Sequence, residues 1–313
     1  MNDTNSLRYY LAQNIPQEIL EYDSKLNQLS VGKAGKLGAI DLLLERNPDS
    51  NKTTIKKQFS KVPLYTQRAL YLEETMPSMA YLYIISPSGG VLQGDRYRID
   101  ISLRNRAYSH ITTQGATRIY KMENNYATQT VNLDIGKNCY FEYVPDQIIP
   151  YEKSRFYQNV NIKIDDDATL IYCETIVPGR IARNEFFEYD ICYLKTTGRS
   201  ASDNTLKFVD NVKLEPKKYD LRKFGLLENH NMYSTVYILT KYKYVEILSK
   251  QINDFLSNST NVIGGATILA NDSGLAIRLL GNQFDRIKEI IFKVLDICRK
   301  NILNARFSGI RKN

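Results

Sequence analysis

Histidine occurs twice and tryptophan not at all in this chain of 313 residues. With only His110 and His230, no histidine-rich metal cage can be built. His110 falls inside an alternating apolar run, where a structural role is expected. Cysteine is also scarce: Cys139, Cys173, Cys192 and Cys298 form no C-x-x-C pair and sit among apolar neighbours. A disulfide scaffold is excluded, and reduced, buried thiols in a cytoplasmic protein are expected. The 16 glycines exclude a collagen-like chain, and 43% hydrophobic with 24% charged residues excludes disorder as the main state. No apolar run reaches the length of a membrane span, and the start, Met1 to Ser6, lacks the basic and apolar regions of a signal peptide.

Familiar catalytic motifs are missing too. Gly32-Lys33-Ala34-Gly35-Lys36-Leu37 looks like a phosphate loop but lacks its spacing, and Leu37 stands where a magnesium-holding Ser or Thr would be. There is no G-x-G-x-x-G after a strand and no G-x-S-x-G elbow. Asp165-Asp166-Asp167 lacks the spacing of a calcium loop and reads as a turn between strands. No fixed metal site and no tightly bound cofactor are expected, and the missing catalytic set argues against an enzyme while leaving scattered carboxylates open.

What the chain does have is alternation. Tyr97, Ile99, Ile101 and Leu103 share one phase, with Arg98, Asp100 and Ser102 on the other. Val131 to Ile135 and Val160 to Ile164 repeat the pattern. Shorter runs lie at 40–44, 81–85, 110–113, 139–144 and 169–174. The 23 tyrosines suit a pleated, half-buried surface. Turn signals separate the runs. The predicted fold is mainly β: a large two-layer antiparallel architecture with a few helices. No strict repeat is visible, so a propeller or regular solenoid is not expected. Residues 1–34 form an extension that either docks through a short helix or stays flexible. Residues 35–313 read as one domain, with a β body to about 195 and a mixed α/β part after it. There, Val245, Leu248, Ile252, Phe255 and Leu256 fall at helical spacing, and 263–279 reads as two strands joined at Asn271 to Gly274. Phe284, Ile287, Ile291, Val294, Leu295 and Cys298 line a C-terminal amphipathic helix.

Four polar, glycine- or proline-bearing clusters interrupt the strands. They are Ser86 to Asp95, Thr112 to Tyr120, Glu142 to Pro150 and Glu174 to Glu185. Three glycines within Gly89 to Gly94 imply a sharp turn or close backbone approach. In the fourth cluster acids and arginines alternate among apolar residues. That pattern fits either a structural ion-pair network or a polar path or partner surface.

In this order the clusters resemble the urease accessory protein D family (UreD, also called UreH). The matching pieces are Gly89-Gly90 with Gly94-Asp95, then Thr112-Thr113-Gln114 with Ala116-Thr117-Arg118 and Tyr120. Ala127 with Gln129, Glu142-Tyr143 with Pro145-Asp146, Glu174 with Gly179-Arg180, and Glu185 follow, and Gly274 to Gly281 is also similar. The likeness runs from about Gly35 to Arg306. Arg118 stands where the family often has lysine, tryptophan is missing, and the first 34 residues have no counterpart.

The resemblance implies a two-layer, mostly β, non-enzymatic protein. It implies partners: apo-urease and an F-type accessory protein, which in turn holds a G-type nickel GTPase. Nickel would pass towards urease through an internal polar tunnel, contacting this chain only transiently. Nickel accepts carboxylate and water ligands, and a conduit must bind weakly. Asp95, Glu142, Asp146, Glu174 and Glu185 are therefore the candidate lining residues. Arg118, Arg180 and Arg183 are the candidate supporting polar network. Because neighbouring strand residues face opposite ways, some of these acids are expected to point elsewhere.

The charge of +8 suggests an alternative, a nucleic-acid- or anion-binding β protein. The nearest basic cluster, Lys213 to Lys223, reads more simply as a solvated surface. The tyrosines mostly occupy the apolar strand phase, which argues against nucleic acid. A carboxylate-based hydrolase is the weakest reading.

Overall fold

The structure, a computed structural model, describes residues 6–25 and 34–310. Most of the phosphate-loop look-alike is described, but Gly32 and Lys33 lie outside the described residues, as do 1–5 and the rest of 26–33.

Two sheets face each other. The first has seven strands in the order Leu206–Leu214, Ile191–Ser200, Arg155–Ile164, Ala127–Ile135, Arg96–Arg104, Leu37–Arg46 and Thr53–Lys61. The second has ten. Its main path runs Val262–Ile268, Gly274–Gly281, Met232–Leu239, Thr169–Ile176, Tyr140–Tyr143, Tyr108–Thr113, Met79–Ile85 and Tyr65–Thr66. Thr117–Ile119 and Ile148–Pro150 attach beside it.

From Met79 to Ser200 the main strands alternate between the sheets, with Thr117–Ile119 and Ile148–Pro150 as short additional strands at the corners, so the chain winds as a coil. Successive strands of the second sheet pair in parallel, Met79 with Tyr108, Tyr108 with Tyr140 and Tyr140 with Thr169. The first sheet does the same through Arg96, Thr128 and Tyr157. Return turns from first to second sheet are tight and use Asn105, Arg106 and Asn138 at positive φ, a conformation asparagine tolerates. The opposite connections are long, and they contain the four polar clusters.

The mainly β, two-layer architecture and the C-terminal helix are those expected; the strand direction is not. Antiparallel pairing is confined to the flanks, as between Leu37–Arg46 and Thr53–Lys61 or Thr169–Ile176 and Met232–Leu239. The centre is a parallel solenoid, which the lack of a repeat had argued against. Its rungs recur every 29 to 32 residues (79 to 108, 108 to 140, 140 to 169). Rungs pair through backbone hydrogen bonds and need only a shared burial phase, so they leave no repeat of residue identity. The strands Leu206–Leu214 and Met232–Leu239 were not foreseen.

Burial explains the texture. The space between the sheets holds Ile99, Ile101, Val131, Leu133, Val160, Ile162, Phe141, Leu170 and Leu239. Much of the first sheet's outer face is polar, hence its clean alternation. The second sheet is covered outside as well, so Thr169–Ile176 is buried at every position. Across the interior Tyr143, Tyr172, Tyr237 and Phe208 stack with centroids 5.7, 6.0 and 4.8 Å apart. Each such pair contributes about 0.5–1.5 kcal/mol beyond area burial.

The cover on the second sheet is made by two long helices. Short N-terminal helices α1 (Leu7–Tyr10) and α2 (Gln17–Leu20) precede them, with α3 spanning Tyr242–Ser257 and α4 Phe284–Leu303. Val245, Leu248, Ile252 and Leu256 of α3 pack with Ile287, Ile291, Val294, Leu295 and Cys298 of α4 against Ile171, Val236 and Ile238. Asn304, at φ 51, ends α4 with a left-handed cap. Of the two alternatives for the N-terminal extension, its described part takes the docked one. Ile19 packs on Tyr126, Tyr157 and Ile191, and the Tyr9 hydroxyl donates to Asp100 at 2.9 Å.

Candidate functional site

The four polar clusters lie in equivalent corners of successive rungs, stacked on one another. Val91 bridges to Ile119, Thr117–Ile119 pairs with Ile148–Pro150, and Ile148 meets Ile176. The Val91 amide donates to the Arg118 carbonyl at 2.8 Å, and the Tyr120 amide donates back to Val91 at 2.9 Å. The stacking is close enough to require glycine. A Cβ on Gly90 would lie 2.3 Å from the Tyr120 ring and 2.6 Å from the Arg118 carbonyl oxygen.

Behind these corners, between the sheets, is a cavity of about 220 Å³. It has room for several water molecules. Tyr97, Gln129, Gln158, Tyr172 and Glu174 line its interior; Asp146, Arg118 and the Ser86–Gly90 segment line it from the corners. Glu174 is its buried acid. One of its oxygens, Oε1, accepts from the Tyr172 hydroxyl at 2.5 Å, Gln158 Nε2 at 2.9 Å and Thr196 Oγ1 at 3.3 Å. Gln129 Nε2 donates to Gln158 Oε1 at 2.8 Å, so a chain of two amides ends on the carboxylate. Burial pushes the Glu174 carboxyl up to about 7; the three hydrogen bonds pull the other way and do not overcome it. The acid is therefore poised near neutrality, without a cationic side chain bonded to it among the described residues.

Asp146 lines both this cavity and a small hollow under α4, where Phe284, Lys288, Phe292 and Ile310 face it. Arg118 is exposed at the corner. The structure thus gathers Glu174, Asp146 and Arg118 around one space. Asp95 stands just outside it. Its carboxylate accepts from the Lys36 amide at 2.8 Å, the Leu92 amide at 2.9 Å and the Tyr97 hydroxyl at 2.9 Å. Burial pushes its carboxyl up against those bonds. Asp95 holds the glycine-rich corner and, through Tyr97, one cavity wall.

The other candidate residues lie elsewhere. Glu142 is on the opposite face of the second sheet, beneath α4. Arg299 grips it with Nε to Oε1 and Nη2 to Oε2, both 2.7 Å, and His110 Nδ1 lies 2.6 Å from Oε2. Arg299 also donates to Glu73 at 2.6 Å and to the Tyr81 hydroxyl at 3.0 Å. Burial would raise the Glu142 carboxyl, but Arg299 and His110 hold it down at about 2. Glu185 and Arg180 form an ion pair on the outside of the fourth corner, where Glu185 also accepts from the Glu152 amide at 3.0 Å. Arg183 is exposed on the 3-10 turn Ile181–Arg183.

Sequence reasoning missed Gln129 and Gln158 as site residues, and Arg299 altogether. The signal was present. Gln129 continues the inward phase of Val131 and Leu133, and Gln158 that of Val160 and Ile162, so polar amides occupy core positions on adjacent rungs. Arg299 follows Cys298 on the apolar stripe of α4, where a charge must be paired if buried.

All four cysteines are free and buried. Among the described residues no group of three or more His, Cys, Asp or Glu converges as a metal cage. No described helix is long and apolar enough to cross a membrane. Tyr143, Tyr172 and Tyr237 are stacked in the interior, so none of them can serve as a stacking platform for bases.

Comparison with known proteins agrees across nearly the whole chain. A family model described as UreD urease accessory protein matches residues 36–311. The chain is 41% identical over 288 residues to "Urease accessory protein UreD" of Cenarchaeum symbiosum, covering 92% of this chain and 100% of that protein. It is 34% identical over 291 residues to "Urease accessory protein UreD 2" of Brucella canis, covering 92% and 95%. It is 33% identical over 297 residues to "Urease accessory protein UreD" of Photorhabdus laumondii, covering 94% and 91%.

Proposed function

Because this chain belongs to the UreD urease accessory protein family, we propose that it acts in urease maturation as a non-catalytic scaffold, and that its inter-sheet cavity is a passage for nickel on its way to apo-urease. The observation that carries this reading is Glu174, a buried acid that lines the inter-sheet cavity with Gln129 and Gln158 and has no cationic side chain bonded to it among the described residues. A passage must bind its cargo weakly. Carboxylate, amide and phenol oxygens are hard, exchangeable donors for a borderline divalent ion, whereas thiolates and imidazoles would trap it. An entering divalent cation favours the ionised form of Glu174 by direct attraction, and the proton it sheds leaves with the departing water. Asp146 sits where the cavity approaches the hollow under α4, and so is the second carboxylate on the path. The partners on this reading are apo-urease and an F-type accessory protein that holds the G-type nickel GTPase, all in the cytoplasm. Nickel is cargo and not a resident cofactor.

The test is co-expression of the chain with its own organism's urease subunits and accessory proteins, with nickel per urease measured on the purified enzyme. Glu174→Gln and Asp146→Asn should each lower nickel content several-fold while the accessory complex still co-purifies. Glu185→Gln, on the outer ion pair, should leave it near normal. Unchanged nickel in both cavity variants would remove the cavity from the route.

A further inference from the structure

Beyond the left-handed cap at Asn304 the chain continues as a short tail, residues 305–310, without helix or strand. The tail runs back along α4. Phe307 meets Phe292 and Asp296, and Ile310 reaches the level of Phe284 and Lys288. One ring keys it in place. The Arg299 guanidinium lies over Phe307 at 4.6 Å, the His110 ring stacks beside it at 6.1 Å, and Phe292 meets it edge-on at 5.1 Å. Two amides add to this hold. Phe307 donates to Asp296 Oδ1 at 3.2 Å and Ser308 to Glu73 Oε1 at 3.0 Å. Beyond Ala305, no backbone–backbone hydrogen bond joins the tail to the fold among the described residues.

The tail covers the hollow beneath α4, a space of about 20 Å³. It has room for about one water. Ile310 closes the hollow from the tail side. Asp146, Cys173 and Thr175 line both this hollow and the inter-sheet cavity, so they form the shared wall. Lifting the tail strands no charge. Glu73 keeps Arg299 at 2.6 Å through its other oxygen, and Asp296 keeps Lys300 at 2.6 Å. Opening therefore avoids the penalty of an unpaired buried acid. The ion cluster under α4 stays intact while the tail leaves as a unit. Segments held by few backbone bonds open before the core does.

We infer that residues 305–310 are a latch on the passage, hinged at Asn304. Closed, with Phe307 in its socket, the latch seals the Asp146 end beneath Ile310. Open, it lets a divalent ion leave there. The inference rests on the proposed nickel passage and names the control of its exit.

The experiment uses the full chain and its own thiols. Cys173, in the shared wall, reports opening of the latch. Cys139 and Cys192, in the main core, report unfolding of the whole chain. The protein is labelled at pH 8 with methyl methanethiosulfonate, and mass spectrometry follows each cysteine. Comparing variant with wild type at the same cysteine cancels differences in thiol acidity. Phe307→Ala empties the socket. Ser308→Pro removes the amide on Glu73 at an exposed position. Each should speed Cys173 labelling about tenfold or more and leave Cys139 and Cys192 within twofold. Unchanged Cys173 labelling in both variants would overturn the latch. If all three thiols speed up together in Phe307→Ala, that variant is unfolding as a whole, and Ser308→Pro decides by the same comparison.

The second arm is nickel per urease in the co-expression assay at limiting nickel. A passage that cannot close loses its ion to solvent, so both variants should load urease several-fold less. Faster Cys173 labelling with loading within twofold of wild type would make the tail a cover only, and the inference would fall. If Glu174→Gln and Asp146→Asn leave nickel content unchanged, the passage itself is refuted whatever Cys173 shows, and the latch falls with it.

Discussion

Replacing Glu174 by glutamine tests whether the cavity acid is held near neutrality by burial. The amide keeps the size of the side chain and can still accept from Tyr172 and Gln158, which lie 2.5 and 2.9 Å from Oε1. What it removes is ionisation. In the unfolded chain the carboxyl titrates at its ordinary value of 4.5, and in the folded chain burial raises it to about 7. The folded state therefore binds the proton more tightly. This contribution to stability is fully present below pH 4.5 and is lost as pH rises through 7. At about 1.36 kcal/mol per pKa unit, the wild type should lose about 2–3 kcal/mol from this residue between pH 5 and pH 8. Glu174→Gln should lose none of it. Urea unfolding of both proteins at pH 5 and pH 8 isolates the difference, since every other titrating group is common to the two. Equal pH dependence in wild type and variant, within about 0.5 kcal/mol, would show that Glu174 is ionised and compensated in the folded protein, and the poised-acid argument would be wrong.

Four further outcomes follow from the packing. Arg299→Met leaves Glu142 and Glu73 buried without their cation and should cost about 3–5 kcal/mol in urea unfolding at pH 7. Because Glu142 is held down at about 2, its stabilisation is present above pH 4.5 and disappears as pH falls through 2, so Glu142→Gln should be more damaging at pH 7 than at pH 2.5. Gly90→Ala should destabilise by about 1–3 kcal/mol, since its Cβ meets the Tyr120 ring and a backbone carbonyl, whereas Gly115→Ala, with no atom within 4 Å of its Cβ, should leave the urea midpoint unchanged. The native protein should react slowly with a thiol reagent at pH 8 and release four equivalents on unfolding, because burial pushes Cys139 up to about 11 and Cys173 and Cys192 up to about 12.

Alternation in residues such as Tyr97 to Leu103 revealed the strands and their buried faces, because period two is a property of one strand against one core. It carries no information on which neighbour a strand pairs with or in which direction, so the parallel winding was not legible. The second sheet was harder still. Tyr81, Ile171 and Cys173 face outwards under the helices while Leu82, Leu170 and Tyr172 face inwards, and burial on both sides erases the alternation. The corners were legible as composition, through the glycines at 89, 90 and 94 and the prolines at 145 and 150. That they stack into one wall depends on the rung register, which lies in the backbone pairing of Val91, Ile119, Ile148 and Ile176.

Glu142 and Glu174 show why the candidate acids could not be sorted by type. Both are glutamates on neighbouring positions of one sheet, both follow an aromatic residue two places earlier, and both are buried. Ile171 lies opposite Glu142, so the next rung places Glu174, three residues on, in the opposite phase. One acid faces α4 and meets Arg299, contributed from 157 residues further along the chain; the other faces the interior and, among the described residues, is bonded by amides and hydroxyls. The same desolvation acts on each. Where a guanidinium answers it, the carboxylate becomes a fixed charge that ties the helix to the sheet. Where none does, the acid stays titratable at the pH of the cell. A structural strut and a candidate carrier of nickel therefore differ by one step of the pleat and one distant arginine.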